Sequence, residues 1–355
     1  MTILILYTHN QSYLSEFYFD LSKELVTKGH DVTNFSLKNV NEKFVKESVG
    51  MVYAKRGGYL KNYWEIFKII KKLRPNIVIS NFSYDNPCLL FSTLLRIDTK
   101  AVWIHSLSIQ SEATFLKILV KKWFLKLADV VIANSYITKS ELHELYKVPE
   151  SKLKCVPFWT GIKEASDAKI YKKKESNILN IGCPGLLGKQ KNQQIIFEAL
   201  GILKKEKKFK FEISIAGKGK EESKLKLLAE KLDLLNEVHF LGHLSAQEMI
   251  SFYKNMDVVV LPSLNEAFGL VFIEAISLGT PVLVSSKFGS LTFIDEDYPG
   301  LSELIFNPRS VNDLKKKLEP YFNNFAPNRE YFEKLYRDNF KKDRILENVY
   351  TIINK

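Results

Sequence analysis

Two glutamates, Glu266 and Glu274, flank a segment whose residue types suit a phosphorylated ligand rich in hydroxyl groups. An apolar run at 258–261 predicts a buried strand before them, and the Phe-Gly-Leu turn at 268–270 predicts the start of a helix that stops at Gly279. Carboxylates accept hydrogen bonds from sugar hydroxyls, and a helix N-terminus attracts phosphate. Because ligands sit at the carboxyl ends of parallel strands, the pattern predicts a nucleotide-sugar site. The alternative is a surface turn with two solvated carboxylates.

The segment around these glutamates resembles the donor-site signature of retaining glycosyltransferases of family 4, which have the GT-B architecture. Further strings stand in the order that this family shows: Arg74–Val78, Ala128–Ser135, Ala216–Gly219 and Phe240–His243. The resemblance therefore runs along most of the chain. It implies an α/β protein of the GT-B type, with two Rossmann-like domains facing a cleft and a C-terminal helix that crosses back to the first domain.

The length of 355 residues and a hydrophobic content of 46% allow two domains of ordinary size. Predicted strands and helices alternate along both halves, which is typical of parallel sheets covered on both faces. We assign residues 1–160 to an N-terminal Rossmann-like acceptor domain and residues 161–340 to a C-terminal Rossmann-like domain that binds the nucleotide-sugar donor. Residues 341–355 are expected to form the helix that packs on the N-terminal domain. The linker is expected within 157–177, where the alternation pauses.

The resemblance implies roles for the residues of the donor-site signature. Glu274 matches the glutamate that binds the ribose hydroxyls, and Glu266 matches the one that approaches the donor sugar. The amides of Phe268, Gly269 and Leu270 are expected to hold sugar or phosphate oxygens. The glycine in this loop is also expected to let the backbone approach the ligand closely.

The segment from Gly185 to Asn192 resembles the loop that holds the diphosphate in this family. Lys191 matches the lysine that contacts the diphosphate. Leu186 stands where the family has an arginine, so the bidentate phosphate contact of a guanidinium is missing. Either Lys189 replaces that contact, or the donor phosphates are held more weakly.

His105, Gly217 and His243 complete the predicted site. His105 ends a predicted strand of the first domain, where the family often has a histidine near the donor sugar and phosphate. A neutral or a cationic imidazole there would stabilise developing charge. Gly217 lies in the turn at 216–219, and His243 is expected to border the base site. We therefore predict that His105, Lys191 and Glu266 are catalytic.

The sequence predicts chemistry without a metal or a bound cofactor, with the nucleotide-diphosphate sugar as the donor substrate. No histidine, cysteine or carboxylate cluster has the spacing of a metal site. Asp295 and Asp297 match a DxD motif superficially, but they stand beside Pro299-Gly300 and are interpreted as an acidic loop. The first strand is not followed by GxGxxG, which argues against a nicotinamide enzyme.

Positive charge is concentrated in the first half of the chain. Residues 1–165 carry 23 Lys and Arg against 15 Asp and Glu, so they contribute +8 of the net charge of +12. Two segments of this half, 53–74 and 115–127, interleave lysines with apolar side chains and resemble interfacial amphipathic helices. A basic apolar surface of this kind attracts anionic lipid. The alternative is that these helices only cover the sheet and extend their lysines into water.

The expected partners are a nucleotide sugar, a glycan or lipid-linked acceptor and an anionic membrane surface. Nucleic acid is not expected, because no RNP, zinc-finger or helix-turn-helix signature occurs. The three cysteines lack metal spacing and are odd in number, which indicates reduced thiols. No apolar run reaches the ~20 residues of a transmembrane helix, and the N-terminus does not read as a signal peptide. We therefore expect a cytoplasmic protein, peripheral on the inner face of the membrane.

The resemblance favours a retaining, metal-independent hexosyltransferase that takes a UDP-sugar and acts in surface polysaccharide biosynthesis. One alternative is a GT-B partner subunit with little or no turnover, favoured by Leu186 and by the lack of a Gly-Gly turn after the first strand. Another is an enzyme of the nucleotide-sugar epimerase type. The epimerase would need a catalytic acid and base, which we do not find in the first domain.

Overall fold

A computed structural model of the chain describes residues 1–10, 13–162, 178–207, 209–323 and 327–354. The chain divides into two compact units. The first unit is Met1–Trp159 with Lys342–Lys355, and the second is Thr160–Lys341. Most of the predicted linker, from 163 to 177, lies outside the described residues.

The first unit is a sheet with helices on its faces. Its elements up to residue 159 are β1 (Thr2–Leu6), α1 (Tyr13–Thr27), β2 (Asp31–Lys38), β3 (Glu42–Lys46), β4 (Val49–Lys55), α2 (Tyr59–Leu73), β5 (Ile77–Asn81), α3 (Asp85–Leu94), β6 (Thr99–Ile104), α4 (Phe115–Leu125), β7 (Val130–Ala133), α5 (Tyr136–Glu144) and β8 (Leu153–Cys155). The strand order is β3-β4-β2-β1-β5-β6-β7-β8, and β3 pairs antiparallel with β4. Strand β1 is apolar from Ile3 to Leu6 because it is covered on both faces, and these residues are fully buried.

The predicted amphipathic helix over 53–74 is wrong at its start. Tyr53 lies in β4, which pairs along β2, and helix α2 begins only at Tyr59. Strand pairing with β2 therefore decides the structure of 49–55. The helix packs one apolar face against the sheet. This agrees with the alternative that it covers the sheet and extends its lysines into water. The residues buried by that face are Ile66, Ile69 and Ile70.

The second unit repeats the α/β alternation. Its elements are β9 (Leu179–Pro184), α6 (Gln194–Lys207), β10 (Phe211–Ala216), α7 (Glu222–Lys231), β11 (Val238–Gly242), α8 (Ala246–Asn255), β12 (Val258–Leu261), α9 (Leu270–Ser277), β13 (Val282–Ser285), α10 (Leu301–Leu304), β14 (Ile305–Phe306), α11 (Val311–Phe322) and α12 (Arg329–Asn339). The strand order is β11-β10-β9-β12-β13-β14, and all neighbours are parallel. The chain reverses direction across the sheet between β9 and β12, which makes their carboxyl ends a topological switch point.

The last helix, α13 (Lys342–Ile353), belongs to the first unit. Lys342 donates a hydrogen bond of 2.6 Å to Asp20 on α1, and the apolar face of α13 is buried. The chain thus returns to its first domain, as the resemblance implies. The predicted pair of α/β sheets is confirmed. Among the described residues, no helix is long and apolar enough to span a bilayer.

Candidate active site

The switch point of the second unit brings two predicted site residues into contact. Lys191 ends a 3-10 turn after β9, and Glu266 lies in the loop after β12. Their side chains form an ion pair between the Lys191 ammonium and a Glu266 carboxylate oxygen, and the two side chains are 26% and 10% exposed. The residues are 75 positions apart in sequence and meet because β9 and β12 are paired neighbours.

The turn that carries Lys191 is fixed by its two polar neighbours. Asn192 adopts a left-handed backbone with φ of 55°, and its side-chain amide donates to the carbonyls of Pro262 at 3.2 Å and Pro308 at 2.8 Å. The carbonyl of Gln190 accepts a hydrogen bond of 2.8 Å from the amide of Leu264. These bonds join the turn to the Glu266 loop, so the ion pair rests on a backbone held from both sides.

Gly269 is required by a close neighbour inside the protein. Its φ is +93°, and a Cβ atom at this position would lie 2.3 Å from the ring of Phe288. The segment around that ring pairs with the Glu266 backbone: the Glu266 amide donates to Lys287 at 3.1 Å, and its carbonyl accepts from Gly289 at 3.0 Å. Gly269 therefore lets the loop pack on Phe288, immediately before α9 begins at Leu270.

Gly185 and Gly217 contact each other directly. A Cβ atom on Gly217 would lie 1.9 Å from the Gly185 carbonyl oxygen, and the φ of Gly217 is +152°. The amide of Gly185 donates to Ala216 at 2.8 Å, and the amide of Leu187 donates to Lys218 at 3.1 Å. The turn at 216–219 thus supports the loop that leads to Lys191. Its contact with a nucleotide stays a prediction.

Glu274 lies on α9 and is almost fully buried, with 5% of its surface exposed. Its carboxylate accepts a hydrogen bond of 2.7 Å from the hydroxyl of Tyr253 on α8. Burial raises the pKa of Glu274 to about 7, although the hydrogen bond from Tyr253 opposes the rise. A group with such a pKa changes charge near neutral pH, which is a common property of functional carboxylates.

Three residues considered for the donor site, Leu186, Lys189 and His243, are more exposed than Glu274. Leu186 is 71% exposed. Lys189 and His243 are also exposed. Asp297 donates its amide to the Asp295 carboxylate at 3.0 Å, a local turn in a loop separate from Lys191.

His105 follows β6 in the first unit, so it is described with that unit. Its Nε2 atom lies 2.8 Å from the hydroxyl oxygen of Tyr18 on α1, and its backbone carbonyl accepts from Asn134 at 3.1 Å. Burial lowers the pKa of His105 to about 3, and the ammonium of Lys121 contributes to the decrease. Of the two charge states predicted from the sequence, the neutral imidazole is therefore the one present near pH 7.

Sequence reasoning missed several residues that shape these groups. Tyr253 stands in an unremarkable amphipathic helix, and its contact with Glu274 depends on tertiary packing. Tyr18 likewise lies outside every predicted motif. Asn192 carried a usable signal, because asparagine is enriched among residues with a left-handed backbone.

Two family profiles match this chain. The profile described as "Glycosyl transferases group 1" matches residues 163–337, and "Glycosyltransferase Family 4" matches residues 15–158. The chain is 30% identical over 236 residues to an uncharacterized glycosyltransferase of Methanocaldococcus jannaschii, a match that covers 62% of this chain and 60% of that protein. It is 32% identical over 172 residues to the alpha-monoglucosyldiacylglycerol synthase of Streptococcus pneumoniae, covering 43% of this chain and 38% of that protein. The chain thus spans less than two thirds of the length of both curated relatives.

The fold is similar to that of HepE from Anabaena, a protein solved in complex with UDP and glucose. The TM-score is 0.75 at 16% sequence identity, and the match covers 100% of this chain and 99% of that chain. At this identity the similarity concerns the fold. Together with the two profiles, it confirms the predicted GT-B architecture.

Proposed function

Because this chain belongs to the glycosyl transferases of group 1, in glycosyltransferase family 4, we propose that it moves a sugar from a nucleotide-diphosphate donor to an acceptor. The proposed donor is a UDP-sugar, as UDP and glucose bind to HepE of Anabaena. The proposed acceptor is a glycan or a lipid-linked sugar, and transfer occurs with retention. The observation that carries the proposal is the contact of Lys191 with Glu266 at the switch point.

In this proposal Lys191 neutralises the departing diphosphate. Cleavage of the donor builds negative charge on phosphate oxygens, and a positioned ammonium stabilises that charge most where water is excluded. Donor phosphates would replace the Glu266 carboxylate as the partner of Lys191. Glu266 is then released to accept hydrogen bonds from hydroxyls of the donor sugar.

The remaining predicted residues hold the donor. Glu274 accepts hydrogen bonds from the ribose, and the amides of Phe268, Gly269 and Leu270 bind sugar or phosphate oxygens. The loop that contains Gly185 and Lys189, with Gly217 behind it, lies against the diphosphate, and His243 borders the base. His105 acts on the substrate as a neutral hydrogen-bonding group. No step of this scheme uses a metal ion.

A second function, a partner subunit with little turnover, is favoured by Leu186. This exposed side chain cannot donate a hydrogen bond to phosphate. The diphosphate would therefore have one cationic contact fewer than it would with an arginine at that position. Such a subunit would bind nucleotide through Glu274 and Lys191 without transferring sugar.

A panel of nucleotide sugars separates the two functions. Binding is read as a rise in melting temperature, and turnover as release of the free nucleotide. A transferase releases nucleotide from one donor, whereas a partner subunit is stabilised without release. Calorimetry of Glu274→Ala then tests the ribose contact, since losing hydrogen bonds to the hydroxyls should weaken nucleotide binding by roughly 1–3 kcal/mol. Unchanged affinity in a folded variant would exclude the contact.

We also propose a cytoplasmic location with peripheral attachment to an anionic membrane through α4. One side of this helix presents large apolar side chains to solvent, each at least 42% exposed. These residues are Phe115, Leu116, Leu119, Val120 and Trp123. The opposite side packs on the core of the first unit through Ile118, Phe124 and Leu125. An apolar face turned to solvent and flanked by lysines matches an interfacial helix better than a helix that only covers a sheet.

Charge reversal tests this surface. Lys121 is unsuitable, because it is partly buried near the carboxylates of Asp85 and Glu141. Reversal of Lys117, Lys122 and Lys126 should lower affinity for anionic vesicles at least about a hundredfold, since the loss of each lysine alone costs about 1 kcal/mol and each new carboxylate adds repulsion.

The matched control reverses three exposed lysines of the second unit, Lys205, Lys207 and Lys210, and should bind the vesicles as the wild type does. Binding should weaken with added salt. A wild type that ignores anionic vesicles at low salt, or equal losses in both triple variants, would refute the attachment.

A further inference from the structure

The hydroxyl of Tyr18 holds one ring nitrogen of His105. Tyr18 is fully buried, and its oxygen lies 2.8 Å from Nε2 of the imidazole. Its ring meets the rings of His105 and Trp103 edge-on, at 6.0 and 5.8 Å between centroids. These contacts lock the position of the hydroxyl relative to the imidazole.

The number of unpaired buried groups indicates whether the Tyr18 hydroxyl or Nε2 of His105 donates. The Tyr18 hydroxyl oxygen contacts Nε2 and also accepts from the side-chain amide of Asn81, and burial raises the pKa of Tyr18 well above its ordinary value, so the hydroxyl keeps its proton. If Nε2 donated instead, the hydroxyl hydrogen and the Nδ1 lone pair would both be buried without a partner, whereas a proton on Nδ1 leaves only that one N–H unpaired, and each unpaired group costs about 1–3 kcal/mol. The hydroxyl is therefore the donor and Nε2 the acceptor, which leaves the ring proton on Nδ1.

The Nδ1 atom lies near a second buried polar atom that lacks a protein partner. Within the described part of the chain, Nδ1 of His105 and Nε1 of Trp103 are buried and form no hydrogen bond, and the two rings are 6.0 Å apart between centroids. Asn81 and Trp103 are register partners on β5 and β6, and His105 stands two residues after Trp103. Clusters of this kind are satisfied by water or by the hydroxyls of a ligand.

We propose that Tyr18 is a positioning residue that sets the tautomer of His105, so that the imidazole presents an Nδ1–H donor to a hydroxyl oxygen of the substrate. The identity of that substrate as a sugar rests on the proposed function. The half-exposed ring of Phe82 packs 4.9 Å from the imidazole between centroids, and a ligand reaches Nδ1 by displacing it. In this role His105 donates a hydrogen bond and does not accept a proton.

The tautomer is measured on the full chain labelled with 15N-histidine. Long-range proton–nitrogen correlation spectra distinguish a protonated Nδ1 from a protonated Nε2, and His105→Gln assigns the signal among six histidines. The wild type should show the proton on Nδ1. Tyr18→Phe keeps the ring and removes the donor, and should give a mixture or the Nε2–H form. Tyr7→Phe is the matched control, because Tyr7 stacks on Tyr18 at 5.2 Å and its hydroxyl bonds to Asn34.

Turnover gives a second readout. Tyr18→Phe should reduce kcat roughly two- to tenfold, the effect of one net hydrogen bond, while its affinity for UDP and that of Tyr7→Phe stay at the wild-type value. A wild-type Nε2–H tautomer, or an unchanged tautomer in Tyr18→Phe, overturns the inference. The spectra need no substrate, so a protein that transfers no sugar at all would refute the proposed function and leave the assignment of the tautomer standing.

Discussion

Replacing Glu274 by glutamine should change how the stability of this protein depends on pH. The carboxyl is nearly fully buried, and burial raises its pKa from 4.5 to about 7. Below pH 4.5 the group is protonated in both the folded and the unfolded chain, so it costs nothing. Between 4.5 and 7 the unfolded chain loses the proton and the folded chain keeps it, so wild-type stability falls as pH rises. Above 7 the loss levels off at about 3 kcal/mol, from 1.36 kcal/mol for each pKa unit.

Glutamine cannot titrate, so Glu274→Gln removes this loss. The free energy of unfolding of the variant minus that of the wild type should increase by about 2–3 kcal/mol from pH 5 to pH 8. Other groups that titrate in this range, such as the buried Asp85 with a pKa raised to about 7 by burial, cancel in the difference. Tyr253→Phe removes the hydrogen bond that holds the pKa down, and should shift the wild-type transition to higher pH.

Urea unfolding followed by far-ultraviolet circular dichroism measures this difference at pH 5, 6, 7 and 8. Every tryptophan of the chain lies in the first unit, so tryptophan fluorescence identifies that unit's own transition. These residues are Trp64, Trp103, Trp123 and Trp159. A difference that stays constant over this range would show that Glu274 has an ordinary pKa in the folded chain, and the argument from its burial would fail.

Lys191→Ala should lower kcat/KM about 10²–10³-fold, as loss of a transition-state charge contact does. Alanine at the exposed Lys189 should be nearly silent if Lys191 alone holds the diphosphate, and costly if Lys189 supplies the second cationic contact. Steady-state kinetics decide this, and wild-type rates in both variants would remove the loop from the mechanism. Gly269→Ala should destabilise the second unit by at least ~1–3 kcal/mol, since its Cβ would meet an aromatic ring at 2.3 Å. Its matched control in thermal denaturation is Gly188→Ala, where a Cβ meets no atom within 4 Å. Activity should survive excess EDTA, and activity that returns only with Mg²⁺ would overturn the interpretation of the loop at 295–297.

The architecture followed from the sequence because it rests on repeated local signals. Apolar strands alternate with amphipathic helices, and in the second unit the loops after β9, β10 and β12 carry glycines beside polar residues. The resemblance of segment 53–74 to one amphipathic helix failed at its first residues, since pairing with β2 draws Tyr53 into a strand. Pattern alone cannot detect pairing between segments distant in sequence.

In the candidate site, individual residues could be predicted from the sequence, but their contacts and charge states could not. The sequence identified Lys191 and Glu266 separately, but their contact depends on the neighbouring positions of β9 and β12. The neutral state of His105 depends on burial and on Lys121, which lies on helix α4. Charge state and pairing are tertiary properties, so one-dimensional spacing does not determine them.

The contact of Gly185 with Gly217 has a consequence for how this loop can evolve. Any side chain on Gly217 would collide with the Gly185 carbonyl, so the backbone conformation here tolerates almost no substitution. The adjoining Leu186 points into solvent and contributes little to that arrangement. Selection can therefore exchange the residue at position 186 without passing through poorly folded intermediates. One codon change at position 186 can therefore add or remove a phosphate-binding side chain while the supporting backbone stays the same.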